Sequence, residues 1–398
     1  MKRYRLGILA THPIQYDVPW YQTLARNPEI DLRVYFAHQQ TPEGQADAGF
    51  GIRFEWDIPL LEGYSFQFLK NRSSRPDGSH FFGCDTPEVK DIIAHGGFDA
   101  WIVQGWHTKS FWQAIFACWR YQTPLLVRGD SQLNTERSWL KRGAKYGLYR
   151  WFIPRFDGYL VVGERSKAYY RHYGAKENKM FWVPRAVDND FFDARARVLA
   201  AERTALRRQW GLPSEAMVFL FAGKLVARKR PMDLLRAISS TATSSNSAWI
   251  LMVGDGMLRK ELEHYVRQNH LPVRFTGFLN QTEMPKAYTA SDVLVLPSDG
   301  SETWGLVVNE AMASGLPAVV SDRVGCAPDL VKSDETGESF SCGNVNELTH
   351  ILQRMASNPV MVKAMSDKAR VQIKNYSIAC AAEGTMAALQ SVARREVK

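Results

Sequence analysis

Glu302 and Glu310 suggest the most specific chemistry in the chain, because they flank a predicted helix start in the run Ser301-Glu302-Thr303-Trp304-Gly305-Leu306-Val307-Val308-Asn309-Glu310. The placement of Gly and Pro predicts a loop, a helix from about Trp304, a stop at Gly315 and a strand led by Pro317. Backbone N–H groups at such a start, here near Gly305, Leu306 and Val307, lack helical partners and carry partial positive charge, so they form a ready site for a diphosphate. Glu310 follows Gly305 by five positions, which at about 1.5 Å per residue sets it roughly 7 to 8 Å along the axis. That is the reach from a diphosphate to the ribose of the same nucleotide. A carboxylate there can accept both ribose hydroxyls, while Glu302, ahead of the terminus, can face a sugar. The plainer account is two acids that favour a helix N-terminus and a solvated face. The flanking glycines and the position after a strand weigh for a ligand.

Two further turns offer complementary groups. Phe219 to Leu235 runs from a strand through a turn into a helix, and within it Lys224, next to Gly223, and Lys229 flank the turn. Two ammonium groups there can converge on one anion and neutralise a diphosphate as it leaves; alone, the segment also reads as a solvated basic loop. Gly254-Asp255-Gly256 follows another strand, where small residues permit close backbone approach to a ligand. Such a tripeptide is often just a turn.

Positioning these groups takes parallel strands. Apolar runs at Leu6 to Ala10, Leu32 to Phe36, Ala100 to Val103, Leu125 to Val127, Tyr159 to Val162 and Met180 to Val183 predict a βαβ series in the first half. Runs at Met217 to Ala222, Trp249 to Val253, Val273 to Gly277, Val293 to Pro297 and Pro317 to Ser321 repeat it. The expected fold class is α/β, with two Rossmann-like domains. Asp188 to Glu215, with helix-forming Ala194 to Trp210 and a Gly211-Leu212-Pro213 stop, marks the junction. The domains are expected at 1–190 and 191–398. Open parallel sheets bind ligands beyond the carboxyl ends of their strands, so the cleft between the domains is the expected ligand site. Gln39 to Gly51 predicts a surface loop.

Composition sets further bounds. With 398 residues, 45% hydrophobic and 23% charged, the chain suffices for two cores. Its apolar runs fall short of the roughly 18 to 20 residues of a spanning helix, and the N-terminal run reads as a buried strand rather than a signal peptide. Five scattered cysteines (Cys84, Cys118, Cys326, Cys342 and Cys380) argue against a zinc site or disulfide framework and fit a reducing cytoplasm. The net charge of +9 is uneven: residues 1–185 hold 25 Lys and Arg against 18 Asp and Glu, a net of +7, and 186–398 hold 25 against 23, a net of +2. Such a field suits a phosphorylated acceptor, an anionic membrane or a nucleic acid, but no nucleic-acid motif accompanies it and no such partner is expected. Arg137 to Phe156 has six Lys and Arg, no acid and many aromatics. It suits the surface of an anionic membrane, but reads more readily as a domain helix whose aromatics are core.

Together these pieces resemble the family 4 retaining glycosyltransferases of GT-B architecture, from about Val161 to Ser377. Glu302 and Glu310, with seven residues between them, match that family's paired-glutamate motif. Its basic pair maps to Lys224, where Arg is commoner, and Lys229; its Gly-Asp-Gly turn maps to Gly254 to Gly256, and its nucleobase-contacting turn to Gly277-Phe278-Leu279. Val183-Pro184-Arg185-Ala186-Val187-Asp188 looks like its interdomain segment, with Arg185-Ala186 where Asn-Gly is usual. The resemblance implies that Gly223, Lys224, Lys229, Gly254, Asp255, Gly256, Phe278, Leu279, Glu302, Thr303, Trp304, Gly305, Leu306, Val307 and Glu310 hold a UDP- or GDP-linked sugar. In the first half, Ala10-Thr11-His12-Pro13-Ile14-Gln15-Tyr16 stands where the family commonly has a Gly-rich turn, and a subset has a similar His-Pro-Ile-Gln-Tyr run. His12 is either a satisfied polar residue or a catalytic group where the cleft opens. After Leu125-Leu126-Val127 the resemblance places a residue that reaches the donor sugar. Asp130, supported by Arg128, fits that role and fits a helix cap equally, with His107 as the alternative.

The implied reaction moves a sugar from a nucleoside diphosphate to an acceptor hydroxyl with retention, through Glu302, Lys224, Lys229, Asp130 and His12. Cationic side chains take the place of a metal, and no cofactor is expected. The first domain would hold the acceptor, a glycan, glycolipid or small molecule, with the last helix packing back on it. The expected location is cytoplasmic, with the inner membrane face as a peripheral site. A nucleotide-sugar epimerase of the same architecture and a non-catalytic nucleotide-sugar-binding protein are the alternatives.

Overall fold

A computed structural model describes residues 3–39, 56–133, 139–239 and 248–393. Two compact units emerge, one built from the start of the chain, Pro59–Arg185 and the segment from Ile378, the other from Ala186–Ser377. The division falls at Arg185/Ala186 rather than at 190/191, and the last helix belongs to the first unit.

The first unit is a seven-stranded parallel sheet of order β3-β2-β1-β4-β5-β6-β7. Its strands are β1 (Tyr4–Ala10), β2 (Ile30–Phe36), β3 (Phe66–Phe68), β4 (Ala100–Val103), β5 (Leu125–Arg128), β6 (Gly158–Val161) and β7 (Met180–Trp182). Every residue of β4, β5 and β6 is buried, as continuous apolar runs require when helices cover both faces. One face packs helix α1 (Val18–Arg26) and the C-terminal helix Ile378–Val392 into a single core, joined where Trp20 Nε1 donates to Thr385 Oγ1 at 3.2 Å. The other face packs helices α2 (Lys109–Tyr121) and α3 (Trp139–Phe152) around an aromatic layer that includes Phe111, Phe152 and Tyr169.

The second unit is a six-stranded parallel sheet of order β10-β9-β8-β11-β12-β13. Its strands are β8 (Met217–Ala222), β9 (Ala248–Val253), β10 (Val273–Gly277), β11 (Val293–Leu296), β12 (Ala318–Ser321) and β13 (Gly337–Phe340). The helix read over Ala194 to Trp210 is two: α4 (Asn189–Leu199), capped where Asp188 accepts from the Phe191 amide at 2.9 Å, and Arg203–Gln209. Arg203 and Arg207 both bond Asp292, and they donate to the Ser291 and Ala290 carbonyls respectively, which ties the second helix to the carboxyl end of helix α5 (Met284–Ala290). Helix α6 (Leu306–Ala313) follows β11.

Candidate functional site

Strands β8 and β11 are neighbours, so the loops leaving their carboxyl ends lie side by side, with the Asp299 amide donating to the Arg228 carbonyl at 2.9 Å. This contact brings together residues 73 apart in sequence: the Lys229 ammonium pairs directly with the Glu302 carboxylate. Both side chains are largely buried, 13% and 14% exposed, and Ser298 Oγ donates to the same Glu302 oxygen at 3.3 Å. Lys224 sits half-buried beside them. Burial, and then the charges of Arg228 and Lys229, push its ammonium down to about 8. A cation held in this way is strengthened by an arriving anion.

The glycines of the two preceding turns have a reason beyond ligand approach. Gly254 has φ +123, and a Cβ there would come within 2.0 Å of the Gly223 carbonyl oxygen. One at Gly256 would lie 2.7 Å from the Leu225 oxygen. The turns are packed backbone to backbone, with the Leu225 amide donating to the Asp255 carbonyl at 2.9 Å. Asp255 turns its carboxylate back on the Gly256 amide at 2.7 Å. Phe278 and Leu279 follow β10 half-buried, after Gly277 at φ 79.

Helix α6 begins at Leu306, after Gly305 in a left-handed conformation at φ 98, rather than at Trp304. The reason is Trp304 itself: its indole is buried and donates to Asn309 Oδ1 at 2.8 Å, so its side chain braces the turn from inside. Thr303 is exposed, and Leu306 and Val307 are half-buried in the first turn, where the amides have no carbonyl of their own helix to bond. Gly325 and Cys326 hold this loop from behind. Their amides donate to the carbonyls of Glu302 at 3.0 Å and Trp304 at 2.9 Å, and a Cβ at Gly325 would lie 1.8 Å from the Thr303 oxygen. Glu310 is buried in α6, where its Oε2 accepts from the Tyr288 hydroxyl at 2.6 Å. No sequence motif marked Tyr288, Gly325 or Cys326.

The first unit gathers a second set at its own strand ends. His12 follows β1, and its Nδ1 lies 3.1 Å from Thr11 Oγ1. Burial and the His38 imidazole push His12 down to about 4, so it is neutral at physiological pH. His107, lowered by burial, donates from Nε2 to the Gly78 carbonyl at 3.2 Å. Asp130 is gripped by Arg185, whose Nε and Nη2 donate to its two oxygens at 2.7 and 2.9 Å. Arg128 is buried over the Trp20 ring and pairs directly with Asp17 at 2.9 Å, which Arg185 also reaches at 3.0 Å, while Asp130 acts on Arg128 through its charge. Arg185, where Asn-Gly was expected of the resemblance, thus closes a four-member network of two cations and two anions. Asp17 went unread in the sequence because nothing in its spacing links it to Arg128 or Arg185.

Of the basic aromatic segment Arg137 to Phe156, residues 137 and 138 lie outside the described residues, as does most of the loop read over Gln39 to Gly51. The segment's rings divide: Phe152 and Phe156 are core, while Trp139 is 78% and Trp151 51% exposed. Among the described residues, no helix is long and apolar enough to cross a membrane. No group of three or more His, Cys, Asp or Glu is arranged to hold a metal ion among them either. Among the described residues, none of the five cysteines is joined in a disulfide.

Residues 202–372 match the family model described as glycosyl transferases group 1. The 2-deoxystreptamine glucosyltransferase of Streptomyces kanamyceticus is 34% identical over 219 residues, 54% of this chain and 55% of that protein. A D-inositol 3-phosphate glycosyltransferase of Streptomyces avermitilis is 30% identical over 342 residues, 78% of this chain and 72% of that protein. Against several curated relatives the match spans about half of their length or less, 55%, 36% and 56% in three cases. Among solved structures, a glycosyltransferase from Rickettsia africae superposes with a TM-score of 0.76 at 14% identity over the whole of both chains. HepE of Anabaena, in complex with UDP, gives 0.74 at 17% identity, covering 98% of this chain and 100% of that one.

Proposed function

The chain belongs to the group 1 glycosyltransferases and has the GT-B fold, and on that footing we propose that it is a retaining, metal-independent family 4 enzyme. It moves a sugar from a UDP- or GDP-linked donor to a hydroxyl of a glycan, glycolipid or small-molecule acceptor in glycoconjugate synthesis. The observation that carries this reading is the convergence of Lys224, Lys229 and Glu302 on adjoining turns of one sheet, ahead of a helix that buries Glu310. A diphosphate is a good leaving group, so the site needs positive charge at the phosphates more than an acid to protonate an oxygen. Lys224, Lys229 and the amides of Leu306 and Val307 supply it. Glu310 holds the ribose, Glu302 faces the donor sugar, and the neutral imidazole of His12 offers hydrogen bonds to sugar hydroxyls.

Incubating the protein with a panel of UDP- and GDP-sugars and candidate acceptors, with mass spectrometry of the products, tests the reading. Transfer products with release of nucleoside diphosphate only when acceptor is present support it. An epimerised nucleotide sugar, or diphosphate release that ignores the acceptor, would favour the epimerase.

Peripheral attachment to an anionic membrane belongs to the same reading. On the first unit, Trp151 of α3 lies 6.4 Å from Trp119 of α2, and Phe116, 52% exposed, lies 5.6 Å from Trp119. Arg155 stacks on Trp151, and neither helix contains an acid. Rings flanked by cations suit the headgroup region of an anionic bilayer. The protein should sediment with phosphatidylcholine vesicles only when they contain phosphatidylglycerol, and Trp151→Glu should weaken this; equal binding to neutral vesicles would refute it.

A further inference from the structure

We infer that Tyr288 positions Glu310 for the ribose of the donor, acting through that carboxylate without touching the nucleotide; this rests on the reading of Glu310 as the ribose acceptor. Tyr288 lies on α5 and is fully buried, so its hydroxyl must find a partner inside the protein. The partner is Glu310 Oε2, at the 2.6 Å of a charge-assisted bond. The Phe192 ring of α4 stands edge-on to the phenol at 6.0 Å and 78°, which fixes the ring from which the hydroxyl projects.

The consequence for Glu310 is geometric. A glutamate side chain has three rotatable bonds, and a carboxylate offers two oxygens with about four lone-pair directions. A bond from a locked phenol to one oxygen sets the plane of the group and leaves directions for two ribose hydroxyls. Removing the phenol oxygen takes away the bond that sets the plane of the Glu310 carboxylate, so more of its orientation must be ordered at the moment of binding, which weakens the ribose contacts. A purely structural role for the Tyr288–Glu310 bond would lower stability alike with and without nucleotide, and would not distinguish a ribose from a deoxyribose.

The 2′-hydroxyl is therefore the probe. Calorimetry with UDP and 2′-deoxy-UDP, or with the guanosine pair where that is the form bound, compares wild type, Tyr288→Phe and Glu310→Ala. Wild type should prefer the ribonucleotide, and Glu310→Ala should erase the preference. Tyr288→Phe should shrink it roughly three- to tenfold, the scale of one ordinary hydrogen bond, with affinity for the deoxy form, which keeps the 3′-hydroxyl, falling less and kcat at saturating donor little changed. Tyr288→Met, a second apolar side chain without the hydroxyl, should give a shift in the same direction. If Glu310→Ala keeps the wild-type preference, the ribose reading falls and this inference with it. If Glu310→Ala erases the preference while both Tyr288 variants retain it, or if they weaken both nucleotides equally, the inference alone is overturned.

Discussion

Raising the pH through 8 should loosen the grip on the donor, and Lys224→Arg should restore it. Burial, together with Arg228 and Lys229, holds the Lys224 ammonium down at about 8 in the free protein, and a bound diphosphate raises it again by adding negative charge. With that value, Lys224 is about 90% protonated at pH 7, about half at pH 8 and about a tenth at pH 9. Only the protonated form attracts the phosphates, so kcat/KM for the donor should fall about tenfold from pH 7 to 9, and binding near pH 8 should take up about half a proton. For stability the sign is opposite. The folded state holds this proton more weakly than the unfolded chain, so its cost is present below about 8 and is relieved as the pH rises from there towards 10.5. Solvent reaches part of the side chain and screens that cost. A guanidinium keeps its charge beyond pH 12 or so, so Lys224→Arg should move the alkaline limb above about pH 9 and abolish the proton uptake. The profile of kcat/KM against pH measures the first effect, and calorimetry at pH 8 in two buffers of different ionisation enthalpy the second. A wild-type profile that stays flat past pH 9, or an identical limb in Lys224→Arg, would refute the assignment of this charge to the phosphate site.

Glu310→Ala should weaken donor binding by about 1.5 to 3 kcal/mol for each charge-assisted bond lost to the ribose, and equal nucleotide affinity in calorimetry would contradict it. On the proposal that lysines take the place of a divalent cation, turnover should persist in excess EDTA; loss of activity that manganese or magnesium restores would show the phosphate site misread. Lys229→Ala should lower kcat by roughly 10²- to 10³-fold, the scale for one preorganised charge-stabilising donor, while donor KM moves less. Normal steady-state turnover in that variant, with circular dichroism unchanged, would return the basic turn to a solvated loop.

Much of the framework is legible in the sequence because buried parallel strands leave unbroken apolar runs. Leu6 to Ala10 and Met217 to Ala222 read as strands and fold as such. Phe66–Phe68 and Gly337–Phe340 lack an unbroken buried apolar run: the first is exposed at Phe66 and Gln67, and the second opens on Gly337 and carries Glu338 and Ser339. Gly337 even looks like a breaker, yet a Cβ there would come within 1.9 Å of the Ala318 oxygen.

Site residues were legible where they share a local run, as Glu302 and Glu310 do on one loop and helix. Partners from distant elements were not. Tyr288 sits 22 residues before Glu310 on another helix, and Arg185 reaches Asp130 across 55 residues; such bonds follow from sheet order, which spacing does not encode. The Gly-Asp-Gly turn was read for a ligand, whereas its glycines are already required by the adjoining turn. A residue type demanded by packing and one demanded by chemistry look alike until their neighbours are known.

On the proposed reading, the Lys229–Glu302 pair links two steps of donor binding. Two opposite charges, each largely withdrawn from water, have paid most of their desolvation cost before a donor arrives. An incoming diphosphate competes for the Lys229 ammonium with more negative charge than one carboxylate offers. As Lys229 turns to it, Glu302 keeps the Ser298 hydroxyl but loses its cation, and a buried carboxylate in that condition seeks donors. Under the proposed function the hydroxyls of the donor sugar would be such donors, so that binding the phosphates would ready the group that then holds the sugar. A free nucleoside diphosphate draws on the first half of this exchange alone, and a complete donor on both. On that reading, negative charge growing on the diphosphate as the glycosidic bond breaks would strengthen the same Lys229 contact where it lowers the barrier.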